Sequence, residues 1–134
     1  MIRYSCADFA FPHLTHENSL KLIKMMGIDA VDIGLFQDRS HIQPSDQLDK
    51  PEEKGLLLKQ KCADLGLAIS DIFMQTSLDF GEVAINHPDA AVRTKQREMF
   101  RRLCAAQDAD PECNQYPRFK LRDDTCALWG IFEP

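Results

Sequence analysis

Short apolar runs alternate with helical apolar spacing from the first residues to about position 106. Ile2–Cys6 is a short apolar run and reads as a strand. Pro12 marks the loop that follows, and Thr15 is placed to cap a helix. Leu22, Ile23 and Met26 then recur at helical spacing, with Lys21 and Lys24 between them. Gly27 follows, a residue suited to the left-handed position that ends helices. Ala30–Leu35 is the second predicted strand. The stretch from Phe36 to about Lys50 is polar and reads as a long loop. Pro51-Glu52-Glu53 looks like a first helical turn, since proline is tolerated there and carboxylates suit the helix dipole. That helix is expected to run to Leu65 and stop at Gly66. Leu67–Met74 is the third strand. After Pro88-Asp89 comes a long helix with Val92, Met99, Phe100 and Leu103 on its apolar face.

The pattern repeats faintly. Gly27-Ile28-Asp29-Ala30-Val31-Asp32-Ile33 aligns with Gly66-Leu67-Ala68-Ile69-Ser70-Asp71-Ile72. Both read glycine, short turn, strand, with Asp-Ile at the same offset, as stacked βα units should. The element order predicts a parallel sheet with right-handed crossovers. Beyond Ala106 the rhythm breaks. Residues 107–117 carry Pro111, Pro117 and several polar side chains, which argue against a buried fourth strand. The expectation is therefore an α/β fold of about three parallel βα units over residues 1–106. An atypical C-terminal tail over 107–134 is expected to stand outside that fold. Its Leu128-Trp129-Gly130-Ile131-Phe132 run is apolar but has no helix after it.

Composition narrows the classes. The chain has 134 residues, 44% hydrophobic and 28% charged, which fits a globular domain and not a disordered one. The net charge of -5 gives no reason to expect nucleic acid or anionic membrane as partner. No apolar run approaches the roughly 20 residues of a membrane span, and no signal peptide is evident, so a cytoplasmic location is expected. Five cysteines without a C-x-x-C pair exclude a zinc ribbon or thioredoxin-like motif. Cys6, Cys62 and Cys104 fall in apolar patterns and read as buried reduced thiols.

Three stretches carry a family resemblance: Tyr4-Ser5-Cys6-Ala7-Asp8-Phe9 at the start, Gly27 to Phe36, and the loops Arg39-Ser40-His41-Ile42-Gln43-Pro44 and Asn86-His87-Pro88-Asp89. Together they resemble the sugar phosphate isomerase/epimerase family, whose fold is the xylose isomerase-like (β/α)8 TIM barrel. The resemblance covers about residues 1–106, the front of a barrel that typically needs ~250 residues. It implies metal-dependent isomerisation or epimerisation of a sugar, sugar phosphate or polyol. It also implies that the divalent metal's ligands sit mainly on later strands, beyond this stretch. The expectation for this chain is thus a truncated or frame-shifted product, inactive and holding no metal. The alternative is a noncatalytic fragment or a partner of another βα fragment. Exposed sheet edges lead to the expectation that the chain self-associates or is only marginally folded. A flavodoxin-like ligand-binding domain fits less well, because no phosphate loop follows strand one.

In such barrels function gathers at the C-terminal ends of the strands. That places Asp8, the His41 loop and Gln75 on the functional face. His41 is the foremost candidate for substrate binding, and Arg39 could hold a sugar phosphate. The catalytic residues cannot be named. His87 reads as a turn residue before Pro88, and His13 and His16 as surface residues flanking the first helix. Asp32 and Asp71, in mid-strand, read as braces between neighbouring elements.

Overall fold

A computed structural model describes residues 4–79 and 81–108. Three strands, β1 (Ser5–Ala7), β2 (Ala30–Phe36) and β3 (Ala68–Gln75), form one parallel sheet in the order β1-β2-β3. Helix α1 (His16–Met25) links the first two strands. Helices α2 (Pro44–Asp49) and α3 (Pro51–Asp64) link the second and third, and α4 (Ala90–Asp108) follows β3. The molecule is therefore α/β, built of consecutive parallel βα units. The tail from residue 109 onward, with its apolar Leu128–Phe132 run, lies outside the described residues.

Local chemistry explains the boundaries. The Thr15 hydroxyl accepts from the Asn18 N–H and caps α1. Gly27 and Gly66 close α1 and α3 at φ +77° and +69°, a region where a Cβ is strained. Both turns are bolted together, since Lys24 donates to Gly66 O at 2.9 Å and pairs with Asp29. The sequence pattern gives the three strands and three longer helices to within two residues at their ends, except that β1 begins at Ser5, three residues after the expected start at Ile2. It misses α2, a six-residue helix inside the supposed loop, started by Pro44 and anchored by Leu48, which is 2% exposed.

One sheet face packs under the helices. Val31, Ile33 and Leu35 of β2 meet Leu20 and Ile23 of α1 and Leu58 and Cys62 of α3, all nearly inaccessible. Each such large side chain contributes about 1.5–3 kcal/mol by leaving water. Leu103 of α4 joins this core with Met99 packed beside it, but Phe100 is exposed, contrary to the expected apolar face. The opposite sheet face carries Phe9, Phe36 and Phe73, whose rings meet edge to face at 4.9 and 6.5 Å. Phe73 remains 44% exposed there.

The β2–β3 register slips once, between Val31 and Asp32, leaving Ser70 as the extra residue of a bulge. Beyond the slip Asp32 pairs with Asp71 and Ile33 with Ile72. These partners stand at the same spacing that separates Gly27 from Gly66, so the repeat in sequence becomes the register in space. The Asp32 carboxylate accepts from Ser5 Oγ on β1 (2.8 Å) and from Ser70 Oγ on β3, bracing all three strands. Asp71 instead turns back to accept from the Ile72 N–H at 2.8 Å.

Candidate functional site

The last residues of β1 and β2 lead into two segments that fold over the start of α1. Asp8 follows β1 in a single 3-10 turn (Asp8–Ala10) and is completely buried. It continues the helix-side alternation of Cys6. Its Oδ1 accepts from the Gly34 N–H at 2.9 Å, extending the β1–β2 ladder by a side chain. Its Oδ2 lies 3.1 Å from His16 Nε2 in the first turn of α1. The two atoms are out of line for a good hydrogen bond, and neither has a better-placed partner. The contact is best described as a close electrostatic one between a buried carboxylate and an imidazole.

The other side of His16 fixes its tautomer. Lys61 Nζ stands 3.1 Å from His16 Nδ1. An ammonium can only donate, so Nδ1 accepts and the ring proton sits on Nε2, facing Asp8. A chain of contacts thus runs from β2 through Asp8 and His16 to α3. His16 was expected at the surface. Its side chain is only 11% exposed, because the turn after Asp8 folds the start of α1 back onto the strand end.

His41 stacks on His16 with ring centroids 5.6 Å apart. Its Nε2 lies 3.1 Å from Oγ of Ser19, itself fully buried on α1. The Ser19 hydroxyl donates to Phe11 O at 3.4 Å, which leaves its oxygen to accept from His41 Nε2–H. The segment bearing His41 is held rigidly. Ser40 Oγ accepts from the Phe36 N–H at 2.8 Å, and Gln43 accepts from the Asp38 N–H at 2.8 Å while donating to Ser40 O. Asp38 takes a left-handed φ of 57°, which short polar residues tolerate. Arg39 is exposed at this turn, with its backbone N–H bonded to Phe36 O. His41 and His16 therefore come together, and both lie on the helix side of the sheet.

The remaining candidates are structural in their contacts. The Gln75 side-chain amide donates to Ser77 O, and the Gln75 backbone carbonyl accepts from the Gln37 N–H. His87 Nδ1 accepts from the Asp89 N–H at 3.0 Å, and Arg93 donates to His87 O, which is the turn role read from Pro88. Asp89 accepts from the Ala91 N–H at the start of α4. His13 is exposed. Cys6, Cys62 and Cys104 are free thiols, with Cys62 buried and the other two partly so. Burial, with the nearby Asp8 carboxylate adding to it against Lys61, pushes the Cys62 thiol up to about 11. Burial and then Asp32 also raise Cys6. Both therefore stay protonated and poorly nucleophilic near neutral pH.

Next to the two histidines is an open hollow of about 320 Å³, formed between the Ile42–Gln47 segment and α3. Lys54 and Lys61 stand on its wall with His16, His41 and Asp46. Among the described residues no group of three or more His, Cys, Asp or Glu is placed to hold a metal ion. No helix among them is long and apolar enough to cross a membrane. In comparisons with known proteins, no family model matches the chain and no curated protein matches it.

Proposed function

We propose that this chain supplies the first three βα units of a (β/α)8 barrel of the sugar phosphate isomerase/epimerase type and is not by itself a catalyst. The observation that carries the reading is the sheet: three consecutive parallel strands in sequential order, with helices on one face and an aromatic, partly exposed opposite face. A barrel begins this way, with the second face turned inward. Enolisation chemistry needs a base near neutral pKa and an electrophile for the enediolate charge, a role a divalent metal fills in that family. Here the carboxylates and imidazoles near the sheet are engaged within the fold. Asp8 bridges Gly34 and His16, Asp32 bridges Ser5 and Ser70, and His41 is bonded to Ser19. Arg39 is the exposed cation nearest in sequence to the β2 end, and in a completed barrel it is the residue proposed to meet the sugar phosphate, whereas His41 faces Ser19 and His16 on the helix side.

The test uses the chain alone and then the chain mixed with a fragment carrying units four to eight of such a barrel. Alone, it should retain no stoichiometric divalent metal after dialysis and turn over no sugar phosphate. Mixed, it should form a stable heterodimer. Stoichiometric metal with isomerase turnover by the chain alone would overturn the proposed inactivity. Failure to associate with the complementing fragment would overturn the barrel reading.

A further inference from the structure

We propose that the hollow beside His16 and His41 is a binding site for a small protonated oxyanion, with hydrogen phosphate as its simplest occupant. It lies on the helix side of the sheet, away from the face assigned above to a barrel interior, and does not depend on that assignment.

Two ammonium groups stand on its wall, from different turns of α3. Lys61 is held in place by donating one proton to His16 Nδ1, and His16 is in turn backed by the fully buried Asp8. The ammonium carries two further protons, and its charge is shared with Glu17 on the neighbouring side of α1. Lys54 makes no side-chain hydrogen bond or ion pair among the described residues, and it too lines the hollow. These two groups supply donors and positive charge.

The same wall holds acceptors. His41 also lines the hollow, and with its Nε2–H directed at Ser19 the second ring nitrogen, Nδ1, is the one left to a ligand, a lone pair in the uncharged imidazole. The Asp46 carboxylate also lines the hollow, and no described side chain engages it. A fully deprotonated anion such as sulfate would meet the lysines but face repulsion from Asp46 and His41 Nδ1. Hydrogen phosphate and dihydrogen phosphate carry O–H groups that donate to those acceptors while their bare oxygens meet the lysines. Mixed donors and acceptors therefore favour phosphate over sulfate at equal ionic strength.

The test is an NMR titration of the full chain with inorganic phosphate, with sulfate and chloride as controls at matched ionic strength and pH. Phosphate should produce saturable shifts centred on His16, His41, Lys54 and Lys61, and sulfate should bind more weakly. Lys54→Gln should weaken phosphate binding about tenfold, the size of one charge-assisted hydrogen bond. Asp46→Asn should narrow the difference between phosphate and sulfate. Shifts that do not saturate, that chloride reproduces, or that map elsewhere would overturn the proposal. Equal binding of sulfate and phosphate by the parent protein would overturn its selectivity. The parent titration decides the question even where a variant folds poorly.

Discussion

Asp8→Ala is expected to cost about 3 kcal/mol or more of folding stability, the usual loss when one partner of a buried charged contact is removed. Three deficits add in the same place. The Gly34 N–H loses its acceptor inside the sheet, and a buried unmade hydrogen bond costs about 1–3 kcal/mol by itself. His16 loses the carboxylate that faces its Nε2, and a small void opens under α1. Asp8→Asn separates these terms. Its amide oxygen can still accept from Gly34, while its NH₂ group turns a second donor toward the Nε2 proton of His16. Asn should therefore recover part of the loss but not all of it. Urea denaturation monitored by circular dichroism checks both variants. A loss below about 1 kcal/mol for Asp8→Ala would show that Asp8 carries little of the strand-end architecture, since that is the scale of an ordinary exposed interaction.

Gly55→Ala should destabilise the protein by about 1–3 kcal/mol, the range of an overpacked interior. Helix propensity alone predicts the opposite sign, because alanine in mid-helix is favoured over glycine by about 1 kcal/mol. The decisive fact is proximity. A Cβ on Gly55 would stand 2.1 Å from the backbone carbonyl oxygen of Ala106. That obstacle is main chain, so no rotamer change relieves it. The helices α3 and α4 would have to separate, exposing Leu103 and Leu58, both within the core. Thermal unfolding of the variant beside the parent measures the sign directly. A raised midpoint would mean that α4 does not pack against α3 as closely as described.

These two positions show how far the sequence could be read. The alternation of apolar runs and helical spacing carries the three strands and the longer helices, because burial on one face imposes a period that survives any tertiary detail. Helix α2 escaped, since its six residues bury mainly Pro44, Gln47 and Leu48, too few to show a period. The Ser70 bulge escaped too, because the repeat of Asp-Ile looks the same with or without a local slip. Gly55 did leave a trace: a glycine in mid-helix is unfavourable and points to a close backbone approach. Nothing in the sequence says that the approaching chain is Ala106, fifty-one residues later.

The Asp8–His16 contact was harder to foresee. The two residues lie on either side of a proline-containing turn, and only the folded path from β1 to α1 brings them together. A charged residue continuing the helix-side alternation of a strand was the available signal, since such a group is seldom buried without a partner. His41 was singled out for its position after β2, but its orientation toward Ser19 and His16 depends on the Ser40 and Gln43 hydrogen bonds that shape its turn.

The open face of the sheet is the feature on which the barrel account stands, and sedimentation velocity across micromolar concentrations, with thermal unfolding of the same samples, tests it most directly. Phe73 is 44% exposed among the aromatic residues of that face, and both outer strands have an edge without a neighbour among the described strands. Such surfaces favour association. The account predicts a sedimentation coefficient that rises with concentration, or a broad, low unfolding transition, and a shift toward monomer in Phe73→Lys. A monodisperse monomer that unfolds sharply above about 60 °C, in the upper part of the ordinary mesophile range, would contradict it.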